Sequence, residues 1–252
     1  MCLISFAWRA HPDYRLILAA NRDELHARPS SEAHWWPESD MLAGRDLQAG
    51  GTWLAVTRSG RFATVTNYRE HQRVSPGQSS RGEIVTNFAG GAAAPLQFVA
   101  SVAKADYAGV SVLAADHENM CYASNRGDDP RSLEPGIYGL GNASLDTPWS
   151  KIRRTKATLK SLIEADKANP TELLRMLADR TPAPRDEIED TDLPFTLEQA
   201  LSAPFILSDT YGTRCSTTVL IGNDGRVEFF ERRFAPDGSV AGESAFRFRC
   251  RW

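Results

Sequence analysis

Two apolar segments near the start of the sequence, joined by a short polar turn, constrain the fold more than any other feature. Residues 2–8 and 14–20 are apolar at nearly every position, which is typical of strands covered on both faces. Consecutive strands of equal length pair antiparallel and return the chain to where it began. We therefore expect the polar residues 21–24 (Asn-Arg-Asp-Glu), which follow the second strand, to lie beside Cys2.

Cys2 carries the most reactive group of this predicted cluster. Removal of Met1 alone would make Cys2 the first residue and would place a nucleophilic thiol beside an amine that can act as its base. A nearby arginine favours the thiolate, and a nearby carboxylate would hold the amine in place. Arg22 and Asp23 are the candidates for these roles, although such a pair is also common as an ordinary surface or turn ion pair.

Acyl transfer to a cysteine also requires hydrogen-bond donors that face the oxyanion. Asn67 and Asn142 each follow an apolar β-like run and are candidates for these donors, while asparagine at a strand end is also usual in turns. The tryptophans Trp35, Trp36 and Trp53 either line an apolar pocket or cover a sheet edge.

The rest of the pattern predicts strands, helices, strands, helices and strands, in that order. Helices are predicted at residues 81–90, 95–104, 149–165 and from Asn169 onward, and further strands at 52–57, 61–66, 109–115, 119–124, 214–222, 226–234 and 245–250. Residues 25–50 and 181–196 read as irregular loops. Hairpin-connected strands with segregated helix pairs indicate stacked sheets with helices outside, in one domain over residues 1–252.

Composition and spacing exclude several classes of function. The 29 basic and 32 acidic residues are well mixed, so we expect no nucleic-acid partner. The four cysteines are far apart, so we expect neither a metal site nor a disulfide framework, and we predict no cofactor. No apolar run approaches the roughly 20 residues that span a bilayer, and no leader segment is recognisable, so we expect a soluble cytoplasmic protein.

Several motifs in a fixed order resemble the NRDE-motif proteins, the transport-and-Golgi-organisation family. They are Asn21-Arg22-Asp23-Glu24 after Met1-Cys2, Gly50-Gly51-Thr52-Trp53-Leu54, Thr66-Asn67-Tyr68, Arg81-Gly82-Glu83, Asn125-Arg126-Gly127, Tyr138-Gly139-Leu140-Gly141-Asn142, Thr147-Pro148-Trp149 and Tyr211-Gly212-Thr213-Arg214. Cys215 departs from the pattern, because a serine or threonine is expected there.

The resemblance implies an α+β fold of the N-terminal-nucleophile hydrolase type, a four-layer αββα sandwich of two mainly antiparallel sheets. The fold would be similar to that of the cholylglycine hydrolase and penicillin V acylase group, although the Asn-Arg-Asp order differs from that group's Arg-Asn-x-Asp. The catalytic residues that the resemblance implies are Cys2, Arg22, Asp23, Asn67, Asn142 and Arg214. The candidate substrate-binding residues are Asn21, Glu24 and Trp53.

Two classes of function fit these residues. The first is a cysteine amidohydrolase that cleaves linear, non-peptide C–N bonds through an acyl-thioester on Cys2. The second, implied by the resemblance, is a binding or trafficking protein for haem or for acyl-CoA and other lipids that uses the same cleft. The sequence has no CxxCH haem-attachment motif, and His26, His34 and His71 all lie in predicted loops.

Overall fold

The computed structural model describes residues 2–70, 78–188 and 193–251. The strands are β1 (Cys2–Trp8), β2 (Tyr14–Leu25), β3 (Ser30–Trp35), β4 (Met41–Asp46), β5 (Leu54–Thr57), β6 (Phe62–Asn67), β7 (Val110–Ala115), β8 (Met120–Ser124), β9 (Arg131–Ser132), β10 (Gly136–Leu140), β11 (Tyr211–Gly222), β12 (Arg226–Phe234) and β13 (Val240–Arg249). The α-helices are α1 (Gly82–Gly90), α2 (Pro95–Lys104), α3 (Ser150–Glu164), α4 (Pro170–Leu177) and α5 (Phe195–Leu201).

The strands form two antiparallel sheets that pack face to face. The first sheet has the order β10-β1-β2-β11-β12-β13, and the second has the order β3-β4-β5-β6-β7-β8-β9. The core between them includes Phe6 and Leu18 of the first sheet and Phe62 and Tyr122 of the second. Helices α1 and α2 cover the outer face of the second sheet, and α3 and α4 cover that of the first. The expected αββα sandwich is therefore confirmed.

The first two strands pair in the register that the sequence predicted. In the β1–β2 ladder Cys2 lies opposite Arg22, and Leu3 lies opposite Asn21. Both strands are covered on both faces, because Phe6 packs between the sheets while Ala7 packs under the helices. The polar end of β2 therefore lies beside Cys2, as expected.

The predicted helices are found close to their expected bounds. Helix α4 begins as predicted, with the Asn169 side chain accepting a hydrogen bond from the backbone N–H of Glu172 at 3.1 Å. The β11–β12 hairpin turns at Gly225, whose φ of 83° is readily adopted by glycine. In the described part of the chain, no helix combines the length and the apolar character needed to cross a membrane.

Two regions differ from the prediction. Residues 25–50 are not irregular, since they contain β3 and β4, which form one edge of the second sheet. Helix α5 begins at Phe195, inside the segment 181–196 that was expected to be a loop, and residues 189–192 lie outside the described part of the chain. Both elements depend on distant partners: the N–H of Ala33 in β3 donates to Glu231 at 2.8 Å, and Glu198 in α5 pairs with Arg69 at 2.6 Å.

Candidate active site

The ends of several strands converge on a cleft of about 420 Å³. The first sheet contributes Cys2 from β1, the polar end of β2, and Arg214 with Cys215 from β11. The second sheet contributes Asn67 at the end of β6. The cleft therefore gathers residues that are distant in sequence around the Cys2 thiol.

The Cys2 thiol lies in the wall of this cleft and is 8% exposed. Arg22 lies directly across the β1–β2 ladder from Cys2, and the backbone N–H of Asp23 is among the groups that lower the pKa of its thiol. Burial raises the pKa of the Cys2 thiol above its usual value, the Asp23 carboxylate adds to the rise, and the Arg22 guanidinium opposes it. Arg22 lowers the pKa of this thiol, as expected, but burial outweighs its attraction, so the net shift is upward.

Asp23 is buried beside Cys2, only 2% exposed, and is fixed by the start of β11. The hydroxyl of Thr213 donates to the Asp23 carboxylate at 2.7 Å, and the Tyr211 hydroxyl donates to the Asp23 backbone carbonyl at 2.9 Å. Burial raises the pKa of Asp23, while the charge of Lys151 and the Thr213 hydrogen bond oppose the rise. The carboxylate thus has a single well-defined position next to the thiol.

Arg22 lies between two thiols in the first sheet. Its cross-strand neighbours are Cys2 in β1 and Cys215 in β11. The residue is 9% exposed, and its Nη1 has no hydrogen-bond partner among the described residues. Its ion pair with Glu24 is long, at 3.9 Å. Arg22 therefore places a positive charge with unused donor capacity in the cleft.

Arg214 occupies an irregularity in β11. The register between β11 and β2 shifts between Thr213 and Cys215, which leaves Arg214 as the extra residue of a bulge. Its guanidinium lines the cleft, and Nη1 donates to the backbone carbonyls of Leu25 and His26 at 2.8 and 3.1 Å. The arginine therefore also holds the segment that follows β2.

The three candidate asparagines occupy different environments. Asn67 lines the cleft, whereas Asn142 is buried behind it and donates from Nδ2 to the Asn67 backbone carbonyl at 2.8 Å. Asn21 is fully buried, with Nδ2 donating to the carbonyls of Leu177 and Pro204. Among the described residues, the cleft lining includes Asn67 but neither Asn21 nor Asn142.

Of the three candidate tryptophans, Trp53 lines the cleft, whereas Trp35 and Trp36 make contacts within the protein away from the cleft lining. Trp35 packs edge-on against Phe248, with ring centroids 5.0 Å apart, and the buried Trp36 donates from Nε1 to a backbone carbonyl at 3.0 Å. Glu24 also lines the cleft.

The histidines do not converge on the cleft in the part of the chain that is described. The His26 ring contacts the Ser208 carbonyl at 2.8 Å, and the His34 ring contacts the Glu32 carbonyl at 2.8 Å. His71 lies outside the described residues. Within the described ranges, no cluster of three or more His, Cys, Asp or Glu side chains could hold a metal ion.

Among the cleft residues that were not singled out as site residues from the sequence, three lie close to the candidate site residues or bear on their charge: Arg81, Cys215 and Glu231. Arg81 immediately precedes α1, and its only signal was the Arg81-Gly82-Glu83 motif. Cys215 in β11 and Glu231 in the neighbouring β12 both line the cleft. Burial raises the pKa of Cys215 well above its usual value, and the Glu231 charge raises it further. The signal for Cys215 was its departure from the expected serine or threonine.

The comparisons with solved structures are consistent with this geometry at the level of the fold. The chain is similar to a Caenorhabditis elegans N-acylethanolamine-hydrolyzing acid amidase ortholog, with a TM-score of 0.53 and 11% identity, covering 87% of this chain and 92% of the other. It is also similar to the mutant C2A conjugated bile acid hydrolase from Clostridium perfringens, with a TM-score of 0.54 and 8% identity, covering 98% and 92%. At these identities the likeness shows the hydrolase-like fold and not the reaction.

Sequence comparison identifies the family directly. The family model for Transport and Golgi organisation 2 matches residues 1–236. Transport and Golgi organization homologs from Mus musculus and Homo sapiens are each 36% identical over 256 residues, covering 92% of this chain and 92% of theirs. The Drosophila melanogaster protein is 26% identical over 260 residues, covering 92% and 91%. The chain therefore belongs to the Transport and Golgi organisation 2 family.

Proposed function

We propose that this protein is an N-terminal cysteine amidohydrolase that cleaves linear, non-peptide acyl-amide bonds. One observation carries the proposal: the Cys2 thiol lies in a cleft wall with Arg22 directly across the β-ladder and the buried Asp23 next along the same strand. A thiol, a guanidinium and a fixed carboxylate are the groups that covalent acyl transfer needs.

The reaction begins with removal of Met1, which exposes the α-amine of Cys2. This amine takes the thiol proton, and the thiolate attacks the amide carbonyl, with Asn67 as candidate donor to the oxyanion. The C–N bond then breaks, and the leaving amine takes the proton from the ammonium group. Water, deprotonated by the same amine, attacks the thioester, and the C–S bond breaks to give a carboxylic acid and the free thiol.

The surrounding groups have separate roles in this scheme. The Arg22 charge stabilises the thiolate, which burial otherwise disfavours. The Asp23 carboxylate, fixed by Thr213, orients the amine that removal of Met1 exposes. The fold neighbours support hydrolysis as the reaction class, because one is an amidase and the other a hydrolase by name.

A second candidate function is binding or trafficking of haem or an acyl-CoA in the same cleft without covalent chemistry. The observation that favours it is the raised pKa of the Cys2 thiol, because burial keeps the sulfur protonated and unreactive. In this reading Trp53 supplies an apolar wall for the ligand.

Intact-mass spectrometry of the Met1-processed protein separates the two functions. The protein is incubated with a panel of N-acyl amides and acyl thioesters, and we expect an acyl adduct on Cys2 that Cys2→Ala removes. Cys215→Ala is the matched control, since it removes a thiol from the same cleft and should keep the adduct. No adduct and no turnover with any compound, together with tight binding of haem or acyl-CoA by Cys2→Ala, would establish the binding function instead.

A further inference from the structure

The cleft around Cys2 is rich in guanidinium groups. The arginines that line it are Arg22, Arg28, Arg45, Arg81, Arg214 and Arg233. Such a concentration is unusual for a chain with a net charge of −3, and it raises the local potential for anions. The partners of each arginine decide how much of that charge is available to a ligand.

Three of the six arginines are already paired with carboxylates. Arg28 makes a bidentate pair with Asp46, with hydrogen bonds of 3.0 and 2.8 Å. Arg45 pairs with Glu38 at 2.7 Å, and Arg233 pairs with Glu32 at 2.6 Å. Arg214 donates hydrogen bonds to the backbone carbonyls of Leu25 and His26. These four arginines have fixed structural partners, and of their buried nitrogens only Nε of Arg233 has no hydrogen-bond partner among the described residues.

Arg22 and Arg81 are different. The Nη1 of the buried Arg22 has no hydrogen-bond partner among the described residues, and the carboxylate of Glu24 stays 3.9 Å from Nη2. Arg81 is held by one hydrogen bond from Nη1 to the Gly109 carbonyl at 3.1 Å. Because Arg81 immediately precedes α1, the positive end of the helix dipole adds to its charge, and Cys2 is among the groups that interact with that charge.

The carboxylates near these two arginines also have other partners. Asp23 accepts from Thr213, and Glu231 accepts the Ala33 N–H at 2.8 Å. Glu70, whose charge acts on Arg81, accepts the Gly109 N–H and pairs with Arg126, each at 2.7 Å. Glu24 uses its other carboxylate oxygen on the Leu25 N–H at 2.9 Å. Leaving a guanidinium donor buried and unsatisfied costs free energy that an incoming anion would recover.

We propose that Arg22 and Arg81 form an anion subsite, so that the acyl compound reacting with Cys2 carries an anionic group close to the scissile bond. This inference rests on the proposed amidohydrolase function and specifies its substrate class. A carboxylate, a sulfonate or a phosphate supplies the shared chemistry, because each accepts charge-assisted hydrogen bonds from guanidinium groups. A neutral amide of the same acyl chain leaves the Arg22 donor unsatisfied.

The experiment compares four amides with one acyl chain. N-lauroylethanolamine is neutral, whereas N-lauroylglycine, N-lauroyltaurine and N-lauroyl-phosphoethanolamine carry a carboxylate, a sulfonate and a phosphate. Their dissociation constants are measured by calorimetry with Met1-processed Cys2→Ala, which cannot turn them over. We expect at least one anionic amide to bind roughly tenfold or more tighter than the neutral amide, with a difference that shrinks as salt rises.

Arginine variants in the same Cys2→Ala background assign the preference to the subsite. Arg81→Gln should reduce the ratio of anionic to neutral affinity severalfold, and Arg81→Lys should retain part of it, because a charge remains. Arg45→Gln is the matched control, since Arg45 lines the same cleft but is paired with Glu38, and it should leave the ratio unchanged. If one of the three anionic amides binds more tightly than the other two, its anionic group identifies the kind of anion that the subsite binds, and the result supports the subsite.

The result that overturns the subsite is distinct from failure of the proposed reaction. Equal affinity for all four amides, or an equal loss of the ratio in Arg45→Gln and Arg81→Gln, would overturn the anion subsite. An acyl adduct on Cys2 of the unmutated protein would still stand in that case. Conversely, a strong anionic preference in Cys2→Ala without any adduct on the unmutated protein would retain the subsite and overturn the hydrolase.

Discussion

The two sides of Arg22 present two thiols that look alike and have different surroundings. Cys2 and Cys215 both line the cleft, both lie opposite Arg22, and they are 8% and 7% exposed. The Arg22 charge lowers the pKa of both thiols, the Asp23 N–H also lowers that of Cys2, and the Glu231 charge raises that of Cys215. Residue type and burial therefore do not distinguish the two thiols, whereas the charged and polar groups around them do.

The sheet also keeps the two thiols apart. Cys2 and Cys215 are separated by the whole of β2, which is two interstrand spacings or about 10 Å between their Cα atoms. A disulfide needs Cα atoms closer than about 7 Å. The pair therefore cannot form a disulfide without backbone movement, and each thiol is expected to react according to its own surroundings.

Asn67→Ala should separate acyl transfer at Cys2 from simple alkylation of either thiol. If Asn67 donates to the oxyanion, its loss should slow acylation by about 10²–10³, because such donors act mainly in the transition state. The rate is measured by mass spectrometry with the best N-acyl amide, and alkylation of Cys2 by iodoacetamide, which forms no oxyanion, should not change.

Asn142→Ala is the matched variant for this measurement. Because Asn142 bonds the Asn67 backbone and does not line the cleft, its loss should slow acylation by only about five- to tenfold, the value of one neutral hydrogen bond. Free energies of unfolding of both variants control for damage to the fold. A larger effect from Asn142→Ala than from Asn67→Ala would contradict the assignment of Asn67 as the oxyanion donor.

The pH dependence of alkylation tests the difference between the thiols directly. Burial raises the pKa of Cys2 and raises the pKa of Cys215 well above its usual value, so both thiolates form only at higher pH than in an unfolded chain. At pH 8 to 9 Cys2 should be alkylated faster than Cys215, because the pKa of Cys215 is raised further and a smaller fraction of it is thiolate. Peptide mass spectrometry after timed iodoacetamide pulses measures both rates in one sample.

The raised pKa values of the two thiols also determine how the free energy of unfolding changes with pH. A thiol whose pKa is higher in the folded state stabilises the fold fully below the unfolded thiol pKa, and this contribution is lost as the pH rises through the folded pKa. Unfolding free energy should therefore fall in the alkaline range, and less so in Cys215→Ala. Equal alkylation rates of Cys2 and Cys215 in the native protein would mean that the neighbouring groups do not determine the reactivity of the two thiols.

The sequence predicted elements that depend on local pattern. The β1–β2 pair, four helices and the strands 214–222 and 226–234 follow from periodicity, capping and β-propensity. Strands β3 and β4 were missed because β3 is a polar edge strand that is bonded to Glu231, 198 residues from Ala33. Helix α5 was missed because its buried Glu198 reads as a solvent-exposed charge until the pairing with Arg69 is known.

The same distinction applies to the candidate site. The proximity of Cys2, Arg22 and Asp23 follows from one hairpin, so the sequence could place them together. Arg81, Cys215 and Glu231 arrive from a helix start and two distant strands, and no spacing rule connects them to Cys2. Asn21 is part of the predicted polar segment, but strand alternation directs it to the opposite face, where Ser216 and backbone carbonyls bind it.

Glu231→Gln should produce the smallest effect and the most specific one. The substitution keeps the shape and an acceptor for the Ala33 N–H but removes the charge that helps raise the pKa of Cys215. Burial, the larger cause, remains, so the alkylation rate of Cys215 should rise only modestly. The rate at Cys2 should change less, because burial and the charges of Asp23 and Arg22 are among the main causes of its pKa shift and Glu231 is not. Timed alkylation followed by peptide mass spectrometry gives both rates, and the unfolding free energy shows whether the variant has loosened the fold. Faster alkylation of both thiols would indicate general loosening of the cleft. Faster alkylation of Cys215 alone would show that the Glu231 carboxylate lowers the reactivity of this thiol.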